Sequence, residues 1–291
     1  MSKAKKKVYF VVLHYQAIQE TINCVNSIVK LSEDVLDVFV VIVDNASPNG
    51  SGKKLQDLYE QHSRISVILN QANLGFACGN NVGFKYAKQN NADYIVLINN
   101  DTVVKDCLFA QKIEEVYRNS HYGVLGPDIL SVKDGIHQNP TSGFKLDIPT
   151  VKKKIMKYHL IRAINKVGLY CVIAKMKKRN KNYNNDYSKE CVVGGNSNYV
   201  LHGSCMIFSK DYISQFDGLY SKTFMYFEEN ILAFLCNQHR IKMVYSPLLS
   251  IEHHRNISTN TSFSKQRDKV EFTYKWGINS LKELLMLMRN P

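Results

Sequence analysis

The sequence predicts an α/β protein built on a doubly wound, mostly parallel sheet with helices on both faces. Three observations carry that prediction. Short β-branched runs alternate with helical stretches through residues 1–130, the pattern that βαβ units produce. Polar clusters stand at the ends of those runs, where sheets of this kind bind ligands. With 291 residues, 45% hydrophobic and 22% charged, the chain can bury a full core and is too apolar for a disordered one.

The elements follow in order. Val8–Leu13 is the first strand. The lysines before it (Lys3, Lys5, Lys6, Lys7) imitate an export signal, but the apolar run is short and no small-residue cleavage site follows. A helical pattern covers Ile18–Leu31, and Val38–Val43 is a second strand that ends in a turn-rich stretch from Asp44. A helix over Lys53–Gln61, a strand over Ile65–Leu69, a helix over Asn80–Gln89 and a strand over Tyr94–Ile98 complete a binding half. Residues 131–190 read as a basic insertion with an amphipathic helix over Val151–Lys178 and a polar end at Arg179–Ser188. A second chemistry-bearing half spans 191–262. Residues 263–291 hold a terminal amphipathic helix, with Ile278, Leu281, Leu284, Leu285 and Met288 in helical spacing.

The net charge of +13 is local. Residues 148–185 hold eleven Lys or Arg and no acid, which leaves 27 basic against 25 acidic residues elsewhere. A nucleic-acid-binding protein, suggested by that charge and by 17 tyrosines, lacks any zinc-finger, KH or RNP signature. The seven cysteines form no CxxC pair, which argues against a zinc site or a disulfide framework and for reduced thiols in the cytoplasm. No apolar run approaches the roughly 18 residues of a membrane span.

Five features can carry chemistry, and each also has a structural reading. Asn99-Asn100-Asp101 closes a strand; such a carboxylate can hold a divalent cation, though the tripeptide is also good turn chemistry. Asp44 can bind a ligand or cap a turn. Asn73–Gly83 carries glycines at 75, 79 and 83, which suits a backbone close to a ligand or a tightly packed loop. Glu228-Glu229 follows the aromatic run from Phe224. Acids there are a candidate base in a dry pocket or a first helical turn favoured by the macrodipole. His253-His254 is a candidate metal ligand or a packed pair.

Six blocks in order bring these signals together: VFVVIVDNAS, NLGFACGNNVG, IVLINNDT, HGSCMIF, FDGLYSKTFMYFEE and PLLSIEHHRNIS, starting at 38, 73, 95, 202, 216 and 247. The chain resembles family-2 glycosyltransferases, nearest to the bacterial rhamnosyl- and galactofuranosyltransferase-like members. The resemblance implies a GT-A fold, with a Rossmann-like, mostly parallel central sheet. It implies inverting transfer of a sugar from a nucleotide-diphosphate donor (UDP or dTDP) to a glycan or lipid-linked glycan acceptor in bacterial surface polysaccharide synthesis.

By this likeness Tyr15, Asp44, Asn73, Gly75, Phe76, Asn99 and Asn100 belong to the donor site, and Gly203 and Ser204 to the acceptor side. Asp101 with His253 would hold Mg²⁺ or Mn²⁺, His254 being the rival ligand. Glu229 stands where the family has its general base, with Glu228 as rival. The chain departs from the family pattern at three places. Asn99 replaces an acid, Glu229 replaces an Asp, and Ile231 and Ala233 stand where relatives often carry an acid and a polar residue. A catalytically idle nucleotide-sugar-binding member of the fold is the alternative these departures raise. The basic stretch 151–181 is expected to dock on an anionic membrane surface at the cytoplasmic face. The terminal helix would assist there or form a homodimer contact.

Overall fold

The computed structural model describes residues 5–170, 188–193, 199–254 and 265–290. Eleven strands and eight helices follow in chain order. The first half runs β1 (Lys6–His14), α1 (Ile18–Ile28), β2 (Leu36–Asp44), α2 (Ser51–Tyr59), β3 (Ile65–Leu69), α3 (Gly75–Gln89), β4 (Tyr94–Asn99), β5 (Thr102–Val103), α4 (Phe109–Ser120) and β6 (Val124–Ser131). Next come β7 (Thr141–Ser142), α5 (Ile148–Lys166), β8 (Cys191–Val193), β9 (Tyr199–Val200), β10 (Cys205–Ser209) and α6 (Lys210–Ile213). The chain ends with α7 (Glu228–Gln238), β11 (Met243–His253) and α8 (Gln266–Arg289).

Nine of the strands form one sheet in the order β3-β2-β1-β4-β10-β6-β11-β5, with β8 added beside β11. β1 pairs in parallel with β2 and β4, and β2 with β3. This is the expected α/β class, and the four strands predicted in the first half all form. β10 runs antiparallel between β4 and β6, so its start meets the end of β4. β1 alternates its faces: Val8, Phe10 and Val12 enter a core layer with Ile28, Phe109 and Ile113. Tyr9 and Val11 enter the opposite layer with Phe84, Phe208 and Tyr245. A sheet covered on both faces needs continuous apolar strands, which is why β1 and β2 read as unbroken runs.

α1 ends three residues before the expected Leu31 and α2 lies two residues earlier than expected, and the larger boundary differences are in α3 and α5. α3 starts at Gly75, five residues before the expected Asn80. The spaced glycines look like loop, but Gly79 lies against Leu13 and Gly83 against Val11 and Val43. Their missing side chains let α3 settle onto β1 and β2. α5 starts at an Asp147 cap, whose carboxylate accepts from the Thr150 N–H at 2.8 Å, and ends at Lys166 rather than 178. Gly168 at φ 79° stops it, as a left-handed glycine past a helix end does. The expected continuation over 171–178, the polar end to 187, and the corresponding part of the basic stretch lie outside the described residues.

A third, smaller apolar cluster joins three helices outside the sheet. Val151 of α5, Ile231 of α7 and Leu281 and Leu284 of α8 form its buried centre.

Candidate functional site

The topology brings the ends of β1, β2 and β4 to one edge of the sheet. Because β10 is antiparallel to β4, its first residues lie at that edge too, and the Asn99 N–H donates to the Ser204 carbonyl at 2.9 Å. A cleft of about 520 Å³ opens there. One wall carries Tyr15, Asn45, Asn73, Gly75, Phe76 and Asn99 to Asp101, and the other carries His202 to Ser204 and Phe224 to Glu229. Phe272, from the terminal helix α8, closes the side.

Asp101 and His253 converge from different elements. β5 pairs antiparallel with β11 so that Thr102 faces His253. The His253 Nε2 then lies 3.3 Å from Asp101 Oδ1. Its Nδ1 is 2.7 Å from the amide oxygen of buried Gln138. In the tautomer that donates Nδ1–H to that oxygen, the Nε2 lone pair faces the carboxylate. Asp101 and His253 could together hold a divalent cation. Among the described residues no group of three His, Cys, Asp or Glu could hold a metal ion. The pair therefore suits an ion that takes its remaining ligands from water or from a substrate's phosphates. His254 points elsewhere, its ring 3.8 Å from Glu252.

Glu228 and Glu229 open α7 behind two consecutive residues in left-handed backbone, Tyr226 at φ 74° and Phe227 at φ 67°. Such strain in residues with side chains persists only where surrounding contacts hold it. Helix α8 supplies those contacts from one face. Thr273 Oγ1 lies 3.2 Å from the Tyr226 hydroxyl, and Ser280 donates to the Met225 carbonyl at 3.0 Å. Trp276 stacks on Phe224 with ring centroids 4.3 Å apart. A Cβ at Gly277 would sit 3.2 Å from the Phe227 ring, so the glycine admits that ring.

Burial pushes the Glu228 carboxyl well above its ordinary range, and the neighbouring Glu229 charge adds to the effect. Glu228 is 6% exposed, and its Oε1 has no hydrogen-bond partner among the described residues. Burial raises Glu229 as well, partly offset by backbone hydrogen bonds that include one from Gly203. A Cβ at residue 203 would come 2.6 Å from the Glu229 carboxylate, so only glycine lets the acid approach the 203–204 backbone.

The structure thus gathers Tyr15, Asn73, Gly75, Phe76, Asn99, Asn100, Asp101, Gly203, Ser204, Glu228 and Glu229 around one cleft, with His253 against Asp101. Asp44 stands behind the wall: it is 5% exposed, and its carboxylate accepts from the Ser47 hydroxyl and N–H. The neighbouring Asn45 lines the cleft instead and binds the 73–75 loop through Leu74 N–H and the Gly75 carbonyl, both at 3.0 Å. Ile231 is buried against α5 and α8, and Ala233 packs into the sheet-side core.

Sequence reasoning missed Gln138 and Phe272, and gave no separate role to Asn45, which it placed with Asp44 at the strand end, or to His202, which opens one of the six blocks. Asn45 was legible as the partner of Asp44 in a strand-end pair. Phe272 carried no signal, because the spacing of a terminal helix does not say which element it covers.

The sheet order and the cleft at its edge define a GT-A glycosyltransferase fold. The family model described as "Glycosyl transferase family 2" matches residues 9–215, and the chain belongs to that family. The match ends before Glu228, Glu229, His253 and α8. Over 288 residues the chain is 23% identical to the "Low-salt glycan biosynthesis hexosyltransferase Agl10" of Haloferax volcanii, covering 90% of this chain and 78% of that one. Among solved structures, S. aureus TarS 1-349 aligns with a TM-score of 0.56 at 13% identity over 85% of this chain and 60% of that one. GalNAc-T7 with UDP, GalNAc and Mn²⁺ aligns at 0.59 and 11% identity over 88% of this chain and 45% of that one. The chain therefore spans less than two thirds of either structure, and these likenesses concern the fold.

Proposed function

We propose that the chain is an inverting, metal-dependent glycosyltransferase that moves a hexosyl or rhamnosyl group from a UDP or dTDP donor to a hydroxyl of a glycan or lipid-linked glycan. The observation that carries this reading is the meeting of Asp101, backed by His253, with Glu228 and Glu229 in one cleft. The hexosyltransferase name of the Haloferax volcanii relative supports the class of sugar. Surface polysaccharide synthesis, of the capsule or O-antigen type, at the inner face of the cytoplasmic membrane is the setting we infer.

The residues divide the work. Tyr15, Asn73, Gly75, Phe76, Asn99 and Asn100 hold the nucleotide and diphosphate, with Asp44 behind them fixing the turn that carries Asn45. Asp101 and His253 would hold Mg²⁺ or Mn²⁺, which would supply positive charge against that developing on the departing diphosphate. Glu229 takes the acceptor proton as the hydroxyl attacks, which inverts the anomeric carbon. Burial raises that carboxyl above its ordinary range, which makes it a better proton acceptor. Gly203 and Ser204 border the acceptor. Holding both substrates in one cleft turns their encounter into a positioned reaction.

A thermal-shift panel of UDP, dTDP, GDP and CMP, with and without Mn²⁺, tests the donor site. A ligand at 100 times its dissociation constant stabilises by about 2.7 kcal/mol. We expect a Mn²⁺-dependent shift with UDP or dTDP that Asp101→Ala removes. No shift with any nucleotide, or a shift untouched by Asp101→Ala, rejects the assignment.

A further inference from the structure

We propose that α5 docks the chain flat on an anionic lipid bilayer through an outward apolar ridge of Met156, Leu160, Ala163 and Val167, flanked on both sides by lysines. The proposal deepens the placement at a membrane given above. It does not depend on the transfer chemistry.

The inner face of α5 is occupied. Val151 is fully buried and Asn165 is 2% exposed. Asn165 donates to the Arg267 carbonyl at 3.0 Å, Arg162 pairs with Glu271, and the Tyr158 ring meets Tyr274 edge-on at 4.7 Å. At 3.6 residues per turn, the positions opposite 151, 158 and 165 are 156, 160, 163 and 167. Met156 is 71% exposed, Leu160 61% and Val167 68%, and Ala163 is exposed between them. The helix is therefore apolar on two opposite faces. The sequence pattern alone had merged these faces into one: Ile155, Ile161 and Ile164 are part-buried and do not share the ridge.

Charge decides the partner. Exposed Lys152, His159 and Lys166 run along one flank of the ridge, and exposed Lys153 and Lys157 along the other. α5 contains no acidic residue in its 19 positions. A solvated helix face has no use for Met, Leu and Val at successive outward positions. A second copy of the chain would bring lysines against lysines in a self-complementary contact. A bilayer rich in anionic lipid satisfies both features. The ridge enters the headgroup boundary while the lysine stems lie along it and their ammonium groups reach the phosphates. None of the described helices is long and apolar enough to cross a membrane, so this contact lies in the membrane plane.

The test needs no sugar or nucleotide, so its failure is separate from failure of the glycosyltransferase reading. The full chain is floated with phosphatidylcholine vesicles carrying about 30% phosphatidylglycerol, and with phosphatidylcholine alone, at low and high salt. We expect binding to the anionic vesicles that weakens with salt and falls at least tenfold without phosphatidylglycerol. Met156→Glu with Leu160→Glu should remove it, with the unfolding midpoint unchanged because both side chains are exposed. Lys153→Gln with Lys157→Gln, which leaves the ridge intact, should weaken binding by about fivefold per charge. Three results overturn the proposal. One is no binding to anionic vesicles. Another is binding that both variant pairs leave unchanged, which would move the contact to another part of the chain. The third is a dimer in sedimentation that Leu160→Glu dissolves.

Discussion

Glu114 on α4 and Glu228 at the start of α7 are both buried, at 4% and 6% exposure, and their surroundings are opposite. Glu114 accepts from Lys6 Nζ at 2.9 Å, Arg118 Nε at 3.0 Å and the Tyr94 hydroxyl at 2.6 Å. Burial works to raise its pKa, and these three donors outweigh it, so the carboxyl titrates below its ordinary value. Glu228 has an Oε1 without a hydrogen-bond partner among the described residues and the acid Glu229 beside it, and burial holds its carboxyl high. Where the fold needs a carboxylate for its own cohesion, it supplies the donors. Around Glu228 and Glu229 the described residues supply backbone N–H donors but no side-chain cation or hydroxyl like those at Glu114, and the burial penalty dominates. The first region is complete in itself.

The largest expected effect breaks the second region alone. Glu229→Gln should lower the turnover of sugar transfer by about 100-fold or more, the usual contribution of a general base. Nucleotide binding in the thermal-shift assay should stay within about twofold. An equal fall in donor affinity would assign Glu229 to binding rather than to proton transfer.

Next in size is the first region. Glu114→Ala leaves the buried Tyr94 hydroxyl without its acceptor and should destabilise by about 2 kcal/mol. Lys6 and Arg118 are part-exposed and can turn to water, so the loss stays below that of a fully buried ion pair. Nucleotide-induced shifts measured on the same variant should be unaltered. Altered shifts would mean that the two regions are coupled.

Glu228→Gln should act in the opposite direction and stabilise. A carboxyl whose folded pKa lies above the ordinary 4.5 binds more protons when folded, so it costs nothing in acid and progressively more as pH rises. The substitution mimics the protonated form. Its gain should be near zero below pH of about 4.5 and reach about 1 kcal/mol or more at neutral pH. A melting curve series over that range checks the sign, and a gain largest in acid contradicts the burial argument.

The smallest effect concerns the clamp behind the glutamates. Gly277→Ala adds helix propensity worth about 1 kcal/mol and pushes a methyl against Phe227 and Tyr158, at 3.2 and 3.0 Å. The two should nearly cancel in stability. Displacement of Phe227 should still lower transfer several-fold by shifting the turn that carries both acids. Full activity in this variant would show that α8 packs on the turn without positioning it.

How much was legible varies by element. β1 to β4 were read nearly whole, because strands buried on both faces must be continuous apolar runs of a definite length. α3 was read short, since glycines that look like a loop serve close packing against β1 and β2. The cleft residues at strand ends were legible one by one as good turn chemistry, and only their order along the chain, seen as a family resemblance, made them a site. Gln138 and Phe272 were not legible at all. Each reaches its place by long-range contact, Gln138 through His253 on β11 and Phe272 from a helix that follows the whole sheet.

The sequence by itself determined the fold class, the strands of the parallel half, the family and the residues at the strand ends, because local pattern and composition suffice for these. Tertiary structure alone decided three things. It set His253 rather than His254 against Asp101, through the pairing of β5 with β11. It turned Ile231 away from the cleft into the α5–α8 cluster. It divided the apolar residues of α5 between a packed face and an exposed ridge. In each case two neighbouring residues have equal claims in sequence, and only the rotation of their element relative to the rest of the chain separates them.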